Sequence, residues 1–574
     1  MEAGVPDYML IERDVAIEAD DGLVLRADIF RPKVEGEYPV LLSYGPYGKG
    51  LAFQEGYADQ WNLLVSAHPE VLEGSSGRYQ NWEVVDPEKW VPDGYVCVRV
   101  DSRGAGRSPG FLDCTSPREA QDLYGCIEWA AAQPWANGKV GLAGISYYAM
   151  NQWQVAMLQP PHLAAICPWE GSADYYRDAT HHGGILSTFE PNWYLAQVVE
   201  IQHGYGERGA RDPNTGELVS GPDTLTEDEL AANRLDLGHE IRARPFDGDF
   251  YRARSVDWSR VRVPLLSCSN WGGQGLHPRG NFEGYTQSAS EQKWLECHGD
   301  AHWTHFYTDY GRELQKRFFD HFLKGEDNGW DREPPVLLQV RRPGERFEER
   351  RESAWPLPST EWTPLYLDAA AQALSRSAPG EAAGVSYDPA GDGIDFSLPA
   401  LDAETEVTGP LAAKLFVSSE SEDADLFLVV RVFDPEGEEV TFQGTLDPHT
   451  PVAQGWLRAS HRRLDPERSL PYRPYHPHEE REPLTPGSVY ELDIEIWPTC
   501  LVVPPGYRIV LTVRGRDYEY EDAATNVGWF VMRGCGAFLH DDPDDRPAES
   551  VGGTVTLHTG PDHPSHLLLP VIPE

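Results

Sequence analysis

The sequence predicts an α/β core that is interrupted by a helical insertion and followed by an all-β domain. In the first third, short apolar runs alternate with helix-like segments, which is typical of a parallel sheet covered by helices. Between residues 171 and 258 this alternation gives way to a segment rich in Tyr, Asp, His and Gly. After about residue 360, short alternating strands separated by turn residues dominate.

These patterns divide the chain into four consecutive parts. Apolar runs at 38–47 and 95–104, and a helical run at 118–135, belong to the first part of the core. The runs "VPLLSCSNW" and "QKWLECHG" and the amphipathic stretch 310–325 mark its return after the insertion. We therefore expect core residues at 1–170, a helical cap at 171–258, a second core part at 259–350 and a β-sandwich, of the jelly-roll type, at 351–574.

The net charge of the chain limits the kinds of molecule that the protein is expected to bind. Asp and Glu total 92 and Lys and Arg 48, so the net charge is −44. A surface this acidic repels phosphate backbones and argues against nucleic-acid binding. It favours cationic substrates only where the acids cluster near the site.

Neither a signal peptide nor a membrane-spanning apolar stretch is evident in the sequence. The eight cysteines form no C-x-x-C pair, as expected for buried thiols in a reducing compartment. We expect a cytoplasmic protein without a membrane partner, and the sequence leaves open whether it forms a homo-oligomer.

The stretch "VGLAGISYYAMNQW", residues 140–153, is nearly a nucleophile elbow. An apolar strand leads into Gly144-Ile-Ser146, and a helix-like run follows. The common pattern is G-x-S-x-G, in which the serine sits on a strained strand-to-helix turn. Tyr148 stands at the second Gly position. Ser146 is therefore either a nucleophile or a serine that begins a helix.

A catalytic serine of this kind needs a histidine later in the chain. The stretch "LECHGDAHWTHFYTDYGREL" supplies His298, His302 and His305. Their spacing of four and then three also suits a metal cluster on one helix face, but Gly299 and Asp300 disfavour such a helix. We expect neither a metal nor a cofactor.

Seven motifs in the same order resemble those of the cocaine-esterase-like (CocE/NonD) hydrolases, relatives of X-Pro dipeptidyl peptidases and α-amino-acid ester hydrolases. They span nearly the whole chain: "GPYGKG", "DSRGAGRSPG", "GISYYAMNQW", "SADYYRD", "HWTH", "GWLRASHR" and "VYELDIEIWPTCLVVPPGYRIVLTVRG". The resemblance implies an α/β-hydrolase core with a cap and a jelly-roll domain. It also implies a serine hydrolase that cleaves small esters or amides through an acyl-enzyme.

The resemblance assigns roles to individual residues. The family's elbow reads G-x-S-Y-x-G, which makes Tyr147 expected and leaves Ala149 at the small position. By resemblance the base is His305 of "WTH". The resemblance also implies an oxyanion hole formed by the Tyr47 hydroxyl and the Tyr147 backbone N–H.

The sequence departs from the family at the carboxylate that completes the catalytic triad. The family's motif resembles G-G-W-x-D, but the stretch here is "SNWGGQG", with Gly273 at the acid position. Glu170 lies at the end of the strand-like run "AAICPWEG" and is our first candidate for a relocated acid. Glu283 in "RGNFEGY" is the second.

Three tryptophans, Trp169, Trp271 and Trp303, flank the proposed catalytic segments. They are candidates for an apolar substrate pocket, with packing of cap against core as the alternative.

Two other functions remain open at this stage. One is an X-Pro dipeptidyl peptidase. The other is a hydrolase fold that has lost its catalytic acid and serves as a binding or scaffold protein. The glycine at position 273, where the family has an aspartate, suggests this alternative.

Overall fold

A computed structural model describes residues 4–521, 528, 530 and 532–573. Within them, the backbone forms a ten-stranded mixed sheet, an eleven-stranded sheet and a two-stranded hairpin. The first sheet carries the core and the second forms the C-terminal domain.

The first part of the core supplies six strands and five helices. The central strands are buried along their whole length, because helices cover both faces of the sheet. The elements are β1 (Met9–Glu18), β2 (Val24–Pro32), β3 (Tyr38–Gly45), α1 (Phe53–Gly56), α2 (Ala58–Ala67), α3 (Pro87–Trp90), β4 (Val96–Asp101), α4 (Pro117–Ala131), β5 (Ala136–Ile145), α5 (Tyr147–Ala156) and β6 (Leu163–Trp169).

The segment expected to be a cap contains short helical pieces and one small hairpin. Its helices are brief because Gly, Pro and Asp recur throughout the segment. The elements are β7 (His181–His182), β8 (Ile185–Leu186), α6 (Phe189–Trp193), α7 (Glu227–Ala232), α8 (Leu237–Arg242) and α9 (Asp249–Arg252), with π or 3₁₀ turns at Tyr175–Thr180, Tyr194–Val198, Val199–Ile201 and Gly206–Arg208.

The chain then returns to the core sheet. The elements are β9 (Leu265–Asn270), α10 (Pro278–Gln287), β10 (Lys293–His298), α11 (Thr304–Tyr307), α12 (Asp309–Phe319), β11 (Val336–Arg342) and β12 (Arg346–Glu352). The strand order is β1-β2-β4-β3-β5-β6-β9-β10-β11-β12. Strands β3 to β6 and β9 to β11 run parallel, so the loops after β5, β6, β9 and β10 meet at one edge.

The C-terminal domain is built almost entirely of β-strands. Its last strand pairs with both the first strand of the domain and a long central one, which closes part of the sheet into a ring. The elements are β13 (Glu361–Asp368), β14 (Ala373–Ser375), β15 (Ala383–Tyr387), β16 (Ile394–Ser397), β17 (Thr405–Ser419), β18 (Asp425–Phe433), β19 (Ala453–Arg458), β20 (Tyr490–Val503), β21 (Arg508–Arg514), α13 (Ala548–Val551), β22 (Val555–Thr559) and β23 (His566–Ile572).

Over the residues that the structure describes, no helix has the length and apolar character needed to cross a bilayer.

Candidate active site

Ser146 lies on a strained turn between β5 and α5. Its backbone has φ 55° and ψ −113°, a conformation that non-glycine residues rarely adopt. A Cβ on Gly144 would lie 2.4 Å from the Cβ of Tyr148, so the turn closes tightly around the serine. The strand, turn and helix are those of a nucleophile elbow. Ser146 is partly exposed, as a nucleophile must be.

The methyl of Ala149, at the small position of the family's elbow, is accommodated by a glycine at the end of the neighbouring strand. A Cβ built on Gly171 would lie only 2.7 Å from the Cβ of Ala149. Gly171 thus provides the space that the family's small elbow residue would otherwise provide.

This contact predicts a pair of compensating substitutions. We expect Gly171→Ala to destabilise the protein by about 1–3 kcal/mol through overpacking. Ala149→Gly in the same chain should restore much of that loss, because it removes the clashing methyl. Urea unfolding of wild type, both single variants and the double variant measures the coupling. Purely additive effects would contradict the contact.

The histidine beside Ser146 is His277. Its Nε2 lies 3.1 Å from the Ser146 Oγ. His277 immediately precedes α10, in the loop that follows β9, and is 1% exposed. His277 was not among the candidates from the sequence, because a catalytic histidine was expected only after the last strands of the core. The available signal was a histidine at the end of "SNWGGQGLH", where the fold would normally carry the acid.

His305 does not lie beside Ser146, and the expectation that it is the base is wrong for this geometry. Its Nδ1 is 3.3 Å from the Thr308 hydroxyl, and its ring packs edge-on against His298 and Tyr310. The cause is local, since residues 304–307 form the short helix α11, and the loop before it places a different histidine, His302, at the site.

Glu170 is at the centre of the buried polar cluster. Its Oε2 accepts from His302 Nδ1 at 2.7 Å, and its Oε1 accepts from His298 Nε2 at 3.1 Å and from Asn270 Nδ2 at 3.3 Å. Oε2 also lies 4.0 Å from Nδ1 of His277. Burial favours the neutral acid, but the two hydrogen-bonded histidines outweigh it and hold the pKa of Glu170 well below its ordinary value. Glu170 is thus a buried anion.

Glu283 does not lie beside the site histidines, so the expectation that it is the acid of the triad is wrong. Its carboxylate forms an ion pair with Arg473, with Nη1 to Oε1 at 2.6 Å, which ties α10 to the β domain. Gly273 offers no carboxylate at the usual position.

His302 bridges two carboxylates and stacks on His277. Its Nε2 is 2.9 Å from Glu83 Oε1, opposite the contact with Glu170. Burial opposes protonation, but attraction by Glu170 and Glu83 raises the pKa of His302 to about 10. The His277 and His302 rings are parallel within 10°, with centroids 4.9 Å apart. Burial, with the His302 charge added, lowers the pKa of His277 to about 3, so His277 is neutral in the resting site.

Glu170, His277 and His302 each offer one possible metal ligand atom, all within 4.8 Å of one another. Because the two imidazole rings are nearly parallel, one ion cannot lie in the plane of both. The arrangement fits shared protons better than a metal.

The two tyrosines predicted for an oxyanion hole lie at the elbow, where the Tyr47 ring packs edge-on against Tyr147 and Tyr148. Tyr147 is the first residue of α5, so its N–H has no carbonyl partner within the helix. The Tyr47 hydroxyl accepts from Trp193 Nε1 at 2.9 Å, and its own proton has no acceptor among the described residues. The Tyr147 side chain points elsewhere, since its hydroxyl donates to Glu119.

The three tryptophans pack beneath and beside the site. Trp169 stacks on His298 with centroids 4.9 Å apart, and Trp303 lies 5.6 Å from Trp82. Trp271 packs on Phe282 and donates to the Gln339 carbonyl. All three are buried, so the packing alternative fits their positions better than direct substrate contact.

Comparison with known proteins identifies the family. The sequence profile described as X-Pro dipeptidyl-peptidase (S15 family) matches residues 21–307. The profile of the X-Pro dipeptidyl-peptidase C-terminal non-catalytic domain matches residues 328–568. A CocE/NonD family hydrolase from Staphylococcus aureus, known from its crystal structure, is 35% identical, with a TM-score of 0.84 over 98% of this chain and 94% of that one. The chain belongs to the CocE/NonD family of hydrolases.

More distant relatives agree with this assignment. A cocaine esterase from Rhodococcus sp. (strain MB1 Bresler) is 26% identical over 98% of both chains. An α-amino acid ester hydrolase, 16% identical with a TM-score of 0.67 over 99% of this chain and 98% of that one, shares the fold. The expected resemblance is confirmed, and this CocE/NonD protein is a serine hydrolase that acts on ester or amide bonds.

The His302 bridge makes the stability of this CocE/NonD hydrolase dependent on pH. The pKa of His302 is about 10 in the fold, against about 6.5 for an ordinary histidine. Its stabilisation is therefore fully present below pH 6.5 and is lost as pH rises through about 10. We expect the unfolding free energy of wild type to fall more steeply over that window than that of His302→Gln, by up to about 1.4 kcal/mol per pH unit. If urea unfolding gave wild type and His302→Gln the same pH dependence of stability, a charged His302 would be ruled out.

Proposed function

We propose that this hydrolase cleaves carboxylic esters of small molecules with Ser146 as nucleophile, His277 as general base and Glu170 as the supporting acid. The observation that carries the proposal is the 3.1 Å contact between Ser146 Oγ and His277 Nε2 on the strained elbow. A serine hydroxyl is a weak nucleophile at neutral pH and needs such a base.

The reaction follows from the positions of these groups. His277 takes the Ser146 proton as Oγ attacks the carbonyl carbon, and negative charge develops on the carbonyl oxygen. The Tyr147 N–H and the Tyr47 hydroxyl stabilise that charge. The His277 proton passes to the departing alkoxide, which leaves as the alcohol and gives an acyl-enzyme. Water then attacks the acyl group while His277 takes its proton, and His277 passes that proton to the departing Ser146 Oγ, which releases the acid and restores the serine hydroxyl.

Glu170 acts on the charge that appears on His277. The imidazolium formed during attack lies 4.0 Å from the Glu170 carboxylate, within strong electrostatic reach in a buried site. His298, Asn270 and His302 hold the carboxylate in place. This arrangement favours catalysis over the scaffold alternative, because the carboxylate missing at Gly273 is replaced from β6.

His302 is the competing base, and its contacts argue against that role. Both of its nitrogens are hydrogen-bonded to carboxylates, and its raised pKa leaves it protonated. A protonated imidazole cannot accept the serine proton. His277 is neutral and in contact with Ser146.

The β domain forms one wall of the site in this proposal. The His302 backbone N–H donates to the Thr445 carbonyl at 3.0 Å, and the Thr445 N–H donates to the Gly272 carbonyl at 3.2 Å. The domain thus fixes both loops that carry the site histidines. We assign it to the jelly-roll type, as the sequence pattern predicts.

An X-Pro dipeptidyl peptidase is the second candidate, favoured by the two profiles that cover most of the chain. Similarity to the Rhodococcus cocaine esterase, which extends over 98% of both chains, favours the esterase function.

Turnover of a simple aryl ester and of an aminoacyl-prolyl anilide, measured with wild type and Ser146→Ala, separates the candidates. We expect ester turnover that Ser146→Ala abolishes, with an acyl adduct on Ser146 detectable by intact mass. Preferential anilide turnover would establish the peptidase. Absence of both activities and of the adduct in folded protein would leave the scaffold function.

A further inference from the structure

The cap helix α6 places a buried indole beside both tyrosines of the proposed oxyanion hole. Trp193 is the last residue of α6 and is 5% exposed. Its Nε1 donates to the Tyr47 hydroxyl oxygen at 2.9 Å. Its ring stacks on the Tyr147 ring, with centroids 5.8 Å apart and planes inclined by 23°. The reaction described above gives this residue no part.

The hydrogen bond from Trp193 determines how the Tyr47 hydroxyl can act. An indole N–H can only donate, so the Tyr47 oxygen must accept in this contact. The phenolic proton is left for another acceptor, and no described residue supplies one. Burial, followed by the charge of Glu83, raises the pKa of Tyr47 well above its ordinary value, so the phenol keeps that proton. The contact thus leaves a neutral O–H group free to donate to a charge that develops at the elbow.

The surroundings of Tyr47 restrict where that O–H group points. The Tyr47 ring packs edge-on against Tyr147, Tyr148 and Trp193, with centroids 6.1, 5.7 and 6.3 Å away. Because the Trp193 N–H repels the phenolic proton, the proton takes the side of the oxygen away from Trp193. A donor that is oriented in advance costs no reorganisation when charge develops in the transition state.

The chain holds α6 on both sides of this contact. Before the helix, the Thr188 backbone N–H and side-chain hydroxyl donate to the Leu539 carbonyl of the β domain, at 2.9 and 3.0 Å. After the helix, the π turn Tyr194–Val198 follows Trp193 directly. Such turns are rare and frequently occur at functional sites. The position of the indole is therefore fixed from the cap and from the β domain.

We propose that Trp193 is a positioning residue that directs the proton of the Tyr47 hydroxyl toward the oxyanion. Its N–H occupies the acceptor side of the hydroxyl. Its ring packs on the first residue of α5, Tyr147, whose backbone N–H is the second donor. In this role Trp193 acts through Tyr47 and does not itself bind the reacting atoms. The role rests on the proposed esterase reaction.

The first test is a double-mutant cycle with 4-nitrophenyl benzoate. We expect Tyr47→Phe to lower kcat by about 10²- to 10³-fold, as loss of one oxyanion donor does. Trp193→Phe keeps an aromatic ring but removes the N–H. It should lower kcat by about 3- to 10-fold with little change in KM, because one hydrogen bond is lost and the hydroxyl proton can turn away. In the Tyr47→Phe background it should cost less than about twofold, since the hydroxyl that it orients is gone.

The second test asks whether the loss occurs at the oxyanion. The thiono analogue of the same ester develops its charge on sulfur, which is a weaker hydrogen-bond acceptor than oxygen. An intact hole favours the oxygen ester, so Trp193→Phe should lower the oxygen-to-sulfur ratio in kcat/KM by about threefold or more. Phe189→Leu is the matched control, because it disturbs the packing of the same helix on Phe530 and removes no donor. It should keep the wild-type ratio.

Three results would overturn the positioning role. They are an unchanged kcat in folded Trp193→Phe, a loss confined to KM, and an equal loss in the wild-type and Tyr47→Phe backgrounds. The last two would show that Trp193 acts on substrate binding or on the fold. Urea unfolding establishes that each variant is folded. Trp193→Met, whose flexible side chain fills irregular space, is the second variant that lacks the N–H.

Failure of the esterase function is distinguishable from failure of this role. If wild type hydrolyses neither ester, the esterase function is wrong, and the same cycle is measured as the rate at which a fluorophosphonate labels Ser146. The phosphonyl oxygen then takes the place of the oxyanion. A slower rate in Trp193→Phe that disappears in the Tyr47→Phe background supports the positioning role. Equal slowing in both backgrounds overturns it.

Discussion

Replacing His277 with glutamine is expected to lower kcat/KM for an aryl ester by about 10³- to 10⁴-fold, because the change removes the base in contact with Ser146. Glutamine can keep a hydrogen bond to the serine but cannot take its proton. KM should change little, since the loss is in the transition state.

The matched control is His305→Gln. His305 lies in the same region but contacts Thr308, His298 and Tyr310. We expect its kcat/KM to stay within about threefold of wild type. A large loss in His305→Gln together with near-normal activity in His277→Gln would show that the loops rearrange and that the family's W-x-H histidine is the base.

Replacing Glu170 with glutamine is expected to reduce both stability and rate. The carboxylate is fully buried between two histidines, so its loss leaves buried positive charge uncompensated, at a cost of about 3–5 kcal/mol in unfolding free energy. The rate should fall at least about 100-fold, because the His277 imidazolium loses its counter-charge. Urea unfolding and steady-state kinetics measure the two effects.

Glu283→Gln provides the comparison, since it removes a partly buried carboxylate that is paired with Arg473 and not with the site histidines. We expect a smaller stability loss than in Glu170→Gln and unchanged kcat. If Glu170→Gln and Glu283→Gln changed kcat equally, Glu170 would have no specific role in catalysis.

The parts of the site that could be predicted from sequence are those set by local chain geometry. Ser146 was found because a strand, a tight turn and a helix follow one another within a few residues. Glu170 was found because the ends of neighbouring parallel strands meet at one edge of a sheet. The Tyr47 ring packs against Tyr147 and Tyr148 of the elbow, and its role in an oxyanion hole stays a prediction.

The proposed base, His277, was not predicted from the sequence because its contact with Ser146 depends on how two loops pack against each other. His302 follows β10, where a base is expected, yet Glu83 and Glu170 hold it as a cation. With His302 held in that bridge, the histidine in contact with Ser146 is His277, which lies in the loop after β9, where this fold usually carries the acid. Glu83 gave no signal, since nothing in its sequence surroundings indicates a carboxylate buried beside a histidine. For the tryptophans the sequence left both alternatives open, because proximity in sequence to a catalytic segment does not distinguish packing from substrate contact.

The most direct test of His277 as the base is the rate at which a fluorophosphonate labels Ser146, followed by intact mass and peptide mapping in wild type, His277→Gln and His305→Gln. Labelling depends on activation of the serine and not on the identity of the substrate. We expect a single adduct on Ser146 in wild type and His305→Gln at similar rates, and labelling of His277→Gln at least about 100-fold slower. Labelling of folded His277→Gln at the wild-type rate would contradict the assignment of His277 as the base.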